Sequence, residues 1–600
     1  MNITGKDLYG SLTFGYYHLR ENMQEINTIN VFPVADGDTG SNITHTLKAI
    51  LSNTDGTGSV ADISNTFAKS ALTGARGNSG MIIAQFFQGF SLIAREFEEL
   101  TVKALADAAS AAVAAAYSAV ETPLEGTILT VMKSWANQLG SSDNPDAPVP
   151  VLLRRALRSA RQAEKDTMDQ MELLKHSGVV DAGAKAFVSI LEGVDLYMLD
   201  PFRVFSGSET VLHAETLLLE SGHVHDTSHF RYCTEALLRV TEQAKHHVRD
   251  AVTGLGDSLV IGSHENQMRI HLHTDDPALM FERLALHSQI EEQKVDDMFM
   301  QQSAAHARLS DTVIVTDSSA DIPQEVVDSL RIYRIPQIVQ VGETSFFDRI
   351  TISTPLLLGI MDASQQKVSS SMPAVGEIQR HFEFLTQHYK HVVVLSVAAK
   401  LSGTFRTYQL AAKSLQDSGA KIDIIDTRLN ASAQGLVVQQ AARMAAQGSS
   451  GEALLSSIRD TAERTTIMVS VQSLEMMVRG GRIPKRLGAL ILKMNFKPMV
   501  GLTKEGGGKI LGVRFSRAGS ITALVTHFMR VHKREGIQSY GMSYIGNSDL
   551  AFSVAQIVEK KTGLKPLFVE QASPIIALHA GKGSISLSYI RKGSTTAVES

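Results

Sequence analysis

One cysteine, Cys233, stands in a chain of 600 residues. A disulfide framework within the chain is therefore excluded, and this usage fits a reducing, cytoplasmic compartment. No window offers about 18 uninterrupted apolar residues, so no helix is expected to span a membrane. The longest tempting run, LGALILKMNFKPMV, holds two lysines and a proline and reads as a buried helix followed by a strand. The first residues, MNITGKDLYGSLTFGYYHL, carry charges and glycines where a signal peptide needs an apolar core. Neither sign of charge is in large excess. The formal net charge of -5 gives no support to nucleic-acid or membrane-surface binding through bulk charge. The chain also lacks a fixed-period repeat, a long low-complexity linker and a G-x-x-x-x-G-K-[ST] P-loop.

What is present is ordinary globular composition, 44% hydrophobic and 20% charged. A chain of this length exceeds one hydrophobic core, and roughly three or four domains are expected. Residues 1–200 read as helix almost throughout. ADAASAAVAAAYSAVE is a strong helix former because alanine loses no side-chain entropy. VPVLLRRALRSARQAEKDTMDQMELL repeats apolar residues at three- and four-residue spacing. Residues 201–305 change character: β-type runs DSLVIGS and MRIHLHT appear, with a helix candidate at TEALLRVTEQAKHHV, and a small α/β domain is expected. In residues 306–600, DTVIVTDSSADIP, KHVVVLSVAAKLSGT and KIDIIDTRLNAS are apolar strands running into small polar residues. Such strands suggest a buried parallel sheet with ligands beyond its carboxyl ends.

Within the helical region, NVFPVADGDTGSN sets Asp36 and Asp38 either side of Gly37. Carboxylates are the hard oxygen ligands magnesium takes, usually shared with nucleotide phosphates. Thr39, Ser41 and Asn42 follow with hydroxyl and amide groups. Gly37 and Gly40 permit a sharp turn that aims N–H groups at an anion. A second glycine-rich loop, TGARGNSG, offers Asn78 and Ser79. D-G-D alone is equally a turn and helix cap; the second loop in the same domain favours the phosphate reading. Further on, His271 and His273 in RIHLHT lie two apart on a strand and share a face. With Cys233 they make a donor set suited to zinc, although a single cysteine is also a common small core residue.

Four stretches in order, NVFPVADGDTGSN, ALTGARGNSGMIIAQFFQGF, PLEGTILTV and VVDAGAKAF, resemble the nucleotide domain of dihydroxyacetone kinase in its fatty acid kinase version. The resemblance implies an all-α helical barrel that binds ATP with magnesium. It makes Asp36 and Asp38 metal ligands central to catalysis and places a further ligand at Asn30, where the sugar-kinase branch has aspartate. It gives Thr39, Ser41, Asn42, Asn78 and Ser79 to the phosphates, and sets Thr127 and Asp181 near the nucleotide. The Cys-Thr-Glu and His-x-His-Thr stretches resemble the central domain of the fatty acid kinase catalytic protein. That likeness implies a zinc-type site at Cys233, His271 and His273, structural in role, with Glu235 as fourth ligand or outer partner.

From about residue 311 to 595, VTDSSADIP, KVSSSMPAVGEI, LSVAAKLSGTF, IIDTRLNASAQG, VRGGRIPK and IIALHAGKGS resemble the DegV family, two-lobed α/β proteins that bind fatty acids. The resemblance implies an apolar tunnel and a carboxylate clamp of Ser369, Ser370, Ser402, Arg482 and His579. Taken without it, His579 reads as a core histidine and Arg482 as an ion-pairing or capping residue. Two positions depart from the family. Ala398 replaces a serine that touches the carboxylate, and Lys582 replaces a proline and would attract an anionic phosphate. Together the resemblances imply an ATP-dependent kinase that phosphorylates a carrier-held fatty acid, within one chain or across a homodimer. A downstream acyltransferase would then consume the acyl phosphate. Two rival readings are a non-catalytic lipid-binding protein that senses nucleotide, and a kinase for a dihydroxyacetone-like acceptor.

Overall fold

The computed structural model describes residues 2–32, 37–141, 147–203, 230–363, 367–472, 474–479, 482 and 497–593. The chain forms two compact units, Met1–Met298 and Phe299–Ser600.

The first unit begins with helices α1 (Gly5–Thr28), α2 (Thr39–Ser52), α3 (Val60–Gly74), α4 (Gly77–Ala94), α5 (Val102–Ala119), α6 (Ile128–Gly140), α7 (Val149–Gln170), α8 (Glu172–Ser177) and α9 (Ala182–Leu199). Local sequence sets their starts. Thr4 with Asp7, and Ser59 with Asp62, form reciprocal capping boxes for α1 and α3. Successive helices from α1 to α8 pack on one another, α7 also packs on α9, and α9 returns to α1. Their apolar faces share one core that includes Leu19, Ile43, Phe67, Met132 and Phe187. No described helix is long and apolar enough to cross a membrane.

A four-stranded antiparallel sheet follows, in the order β2 (Asp257–His264), β3 (Gln267–Thr274), β1 (Tyr232–Arg239), β4 (Gln289–Asp297). Here the structure corrects the helix expected at TEALLRVTEQAKHHV. Its first half is strand β1, and only Lys245–Val252 is α-helix. Thr234 to Leu238 are all buried, and a short continuous apolar run does not distinguish a buried helix from a central strand. Pairing with strands on both sides decides for the sheet.

The second unit opens on the expected parallel sheet, ordered β11 (Ile422–Asp426), β10 (His391–Ser396), β5 (Thr312–Asp317), β6 (Tyr333–Ile335). All residues of β5 and β10 are buried, as strands covered on both faces must be. A separate antiparallel sheet of three strands is ordered β8 (Thr344–Phe347), β7 (Ile338–Val341), β9 (Val368–Ser371). The second lobe is a six-stranded sheet ordered β14 (Gly508–Arg514), β13 (Lys497–Leu502), β12 (Thr465–Ser470), β17 (Ile585–Arg591), β15 (Ile537–Tyr544), β16 (Val569–Gln571). Of the run LGALILKMNFKPMV, the stretch before Lys497 lies outside the described residues, and its last residues form β13.

Thr127 and Asp181 act as N-caps in this fold. Thr127 Oγ1 accepts from Leu129 N (3.3 Å) at the start of α6, and Asp181 Oδ1 accepts from Ala184 N (2.7 Å) at the start of α9. Burial pushes the Asp181 carboxyl up to about 6, against the N–H groups of Ala184, Ile128 and Gly183. Its folded value lies above the unfolded one. The stability it contributes is therefore complete below about pH 4 and is lost as pH rises through about 6. Asp181→Asn keeps an acceptor for Ala184 and removes the ionisation. The variant is expected to match the wild type near pH 4 and exceed it at neutral pH by up to ~3 kcal/mol. Calorimetry across that range tests this, and a gap independent of pH contradicts it.

Candidate functional site

In the first unit, the aspartate loop leads into α2. Asp36 lies outside the described residues. Gly37 has φ 67°, the left-handed region glycine supplies. Asp38 occupies the N-cap position of α2, yet its side chain makes no capping hydrogen bond, so a helix cap does not account for this carboxylate. Asn30, buried at the end of α1, donates its N–H to Asn27 O (3.2 Å). Asn27 also grips Ser41: its Nδ2 donates to Ser41 Oγ (2.9 Å) and its Oδ1 accepts from Ser41 N (3.2 Å). Gly40 differs from expectation. It lies inside α2, and a Cβ there would stand 2.8 Å from both Asn27 Oδ1 and Met23 O. Its smallness lets α1 and α2 touch; it does not shape the turn.

The second glycine-rich loop meets the first. A Cβ on Gly77 would stand 2.5 Å from Asn42 Nδ2, and one on Gly80 would stand 2.6 Å from Thr46 Oγ1. The first turns of α2 and α4 thus lie side by side, with Thr39, Ser41, Asn42, Asn78 and Ser79 on them. Two helix N-termini in contact make a strongly anion-attracting place. Asn78 Oδ1 is buried there without a hydrogen-bond partner among the described residues. Nearby His45 is pushed down to about 4 by burial and by the cations Arg76, Lys48, Lys294 and Arg269, so its imidazole is neutral and the positive charge here comes from those cations. Donors of this kind, with a carboxylate unused by the helix, fit a metal-bound polyphosphate.

On the four-stranded sheet, Cys233 pairs across from His273 and Glu235 from His271. The ligand atoms of Cys233, His271 and His273 lie within 4.8 Å of one another. Cys233 Sγ is 4.0 Å from His271 Nδ1, and the two Nε2 atoms are 3.3 Å apart. Burial, with the carboxylates of Asp296, Glu235 and Asp38, pushes the thiol up against the pull of Lys294. Burial and His271 push His273 down to about 3, which keeps its imidazole neutral, the form that ligates metal. A thiol and two imidazoles this close fit zinc. Asp257 Oδ1 lies 3.4 Å from His273 Nδ1, the place of an outer partner. Glu235 is otherwise engaged: its Oε1 accepts from Gly77 N (3.0 Å), and it lies 3.7 Å from His271 Nδ1.

The second unit holds a cavity of about 280 Å³ between its lobes, beyond the carboxyl ends of β5 and β10. Ser370, Ser402, Arg482 and His579 line its polar side, and Ile467, Val469 and Val500 are among its apolar wall. Ser370 Oγ and His579 Nε2 are 3.1 Å apart. Ser402 Oγ lies 2.7 Å from Thr404 Oγ1, which receives Gln337 Nε2 at 3.0 Å. Burial, then Arg482, pushes His579 down to about 4. His579 rides on the helix Pro574–Ala580, and two buried carboxylates hold the start of that helix. Asp321 Oδ1 accepts from Ser573 N (3.0 Å), and Asp348 Oδ1 accepts from Ile575 N (2.9 Å).

Three family profiles match consecutive parts of the chain. They are the DAK2 domain over residues 33–195, the FakA-like middle domain of fatty acid kinase over 229–305, and the uncharacterised DegV family over 311–592. Its domain architecture is fatty acid kinase-like. Among relatives, an uncharacterized protein of Staphylococcus epidermidis is 28% identical over 402 residues, 62% of this chain and 70% of that one. An uncharacterized protein of Mycoplasma genitalium is 30% identical over 335 residues, 52% of this chain and 60% of that one. Among solved structures, a DegV-family protein from Thermus thermophilus, described for its fatty acid binding, is 24% identical with a TM-score of 0.43. It covers 47% of this chain and 99% of its own. DegV of Bacillus subtilis, described as a fatty acid binding protein, is 20% identical with a TM-score of 0.43, over 47% and 100%.

In the DegV domain the expected clamp residues divide. Ser370, Ser402, Arg482 and His579 line the cavity and Ser369 does not; Ser371 lines it as well. All three serines lie at the end of β9, and their order in the motif does not say which of them reach the cavity. Ala398 is fully buried and is not among the lining residues; a Cβ on Gly506 would stand 2.9 Å from it. Lys582 is not a cavity cation: its ammonium holds Asp362 (2.8 Å), and both side chains are 63% exposed. Sequence reasoning missed Gln337, Asn430 and Ser319, which also line the cavity. Ser319 and Asn430 sit in the quoted strand-end stretches, so their loop position was the available signal. In the DAK2 domain, Gly40→Ala is expected to destabilise by ~1–3 kcal/mol. Gly140→Ala, where nothing lies within 4 Å of the added Cβ, is expected to be nearly neutral. Denaturant unfolding of both variants compares them, and equal effects contradict the packing argument.

Proposed function

We propose that this chain phosphorylates, with ATP, the carboxylate of a fatty acid held in its DegV domain. The observation that carries the reading is one chain with both halves of the chemistry. One half is a donor place built on the paired N-termini of α2 and α4 beside Asp38. The other is an apolar cavity whose polar pole is Ser370, Arg482 and His579. Magnesium, held by Asp38 with Asp36 and Asn30, would supply positive charge to the phosphates during transfer. The backbone N–H groups at Asn78 and Ser79 orient and neutralise the phosphoryl oxygens. Arg482 and the Ser370–His579 pair bind the carboxylate and leave the tail to the apolar wall. A carboxylate oxygen attacks the γ-phosphorus, the bond to the bridging oxygen breaks, and acyl phosphate and ADP result. The acceptor is already anionic, so no proton need be removed. In the middle domain, Cys233, His271 and His273 hold a zinc-type ion as a structural centre.

Acyl phosphate trapped with hydroxylamine after incubation with ATP, magnesium and fatty acid tests the reading. The wild type is expected to give hydroxamate. Asp38→Ala is expected to give none while retaining lipid, and His579→Ala to purify with less lipid. Absence of hydroxamate from folded, lipid-loaded protein rejects it. Metal analysis of the same preparations should find zinc, lost in Cys233→Ala. The departure from the family at Ala398 raises a second reading, a lipid-binding protein whose nucleotide domain senses ATP, but Ala398 does not line the cavity and so does not favour it. Under that reading ATP is not consumed in response to added fatty acid. If no lipid co-purifies, a dihydroxyacetone-like acceptor is favoured instead.

A further inference from the structure

The loop between α3 and α4, which leads into the helix start bearing Asn78 and Ser79 of the proposed nucleotide site, is gripped from outside the helical domain. Glu235 of β1 accepts the N–H of Gly77, the first residue of α4, at 3.0 Å. Arg269 of β3 donates through Nη1 to the carbonyl of Thr73, in the last turn of α3, at 2.8 Å. The two side chains meet each other at 3.1 Å, with 1% and 8% of their surfaces exposed. Each charge sits at the helix end of opposite polarity, the carboxylate at an N-terminus and the guanidinium at a C-terminus. A buried pair is costly to leave half-made, so the grip is all-or-none. The sheet is shaped for this seat: a Cβ on Gly262, paired with Arg269, would stand 2.5 Å from Gln85 Nε2 of α4 and 3.0 Å from Leu72 Cδ1 of α3.

The same sheet face carries the Cys–His–His cluster. Glu235 follows Cys233 by two residues and Arg269 precedes His271 by two, so all four point to one side. We propose that Glu235 and Arg269 are positioning residues that hold the α3–α4 loop in its phosphate-receiving form, and that they join the middle-domain cluster mechanically to the nucleotide site. This rests on the nucleotide reading above. It goes beyond that reading by giving the middle domain a role in donor binding. Glu235 is thereby a docking group, and the helix end it holds leaves the N–H groups of Asn78 and Ser79 to a phosphate.

The full chain carrying Glu235→Gln tests this by two measurements. Hydrogen exchange of peptides spanning residues 70–80 is expected to quicken by roughly tenfold or more, with α5 unchanged. Binding of magnesium–ADP, followed by calorimetry, is expected to weaken by about tenfold, within the usual range of coupling between sites. Zinc content should remain that of the wild type. If Glu235→Gln fails to fold, the neutral pair Glu235→Gln/Arg269→Met removes both charges together and is held to the same expectations. Unchanged exchange in the loop overturns the proposal, and so does faster exchange with unaltered nucleotide affinity. A wild type that binds no magnesium–ADP overturns the nucleotide reading, and this inference with it. That result is distinguishable because loop exchange is read without nucleotide.

Discussion

The first unit depends on holding two helix N-termini against each other. Gly77 and Gly80 let α4 approach Asn42 and Thr46 of α2 more closely than any side chain would allow. Two positive dipole ends placed side by side repel unless negative charge lies between or beside them. The chain supplies part of that charge itself: Asp38 at the head of α2 and Glu235 at the head of α4. A polyphosphate with its metal is a chemically natural remainder. The same constraint explains why the Asp38 carboxylate need not serve as a conventional helix cap.

The second unit solves a different problem, how to keep polar groups at one pole of an apolar cavity. Strands β5 and β10 end in short polar loops, and buried strands leave nowhere else for such residues to go. Asp321 and Asp348 then anchor the helix that carries His579 by taking its first N–H groups. Their burial is costly, and the hydrogen bonds they accept offset it. The result is an imidazole held neutral beside Ser370, with a guanidinium nearby.

Several residues show how far the chain could be read before it was folded. The apolar strands of the second unit were legible because length and flanking turn residues separate them from helices. TEALLR was not, since its buried run fits either form until its neighbours are known. Gly40 shows the same limit in another way. A glycine near two aspartates suggests a turn, and only the approach of α1 shows that it is a packing residue. Lys582 and Ser369 were assigned by their place in motifs. The partner of one, Asp362, and the facing of the other depend on neighbours remote in sequence.

What the amino-acid sequence determined by itself was local: helix starts at capping boxes, strand type from continuous burial, and the order of three domains from ordered motifs. Those properties rest on nearest-neighbour sterics and on hydrophobic patterning, which need no distant partner. Tertiary structure alone decided which groups meet. It set Gly77 against Asn42, joined Glu235 across 158 residues to the head of α4, and turned Ser370 toward His579. Hydrogen bonds and ion pairs act over a few ångströms whatever the distance along the chain, so such contacts exist only once the chain has closed on itself.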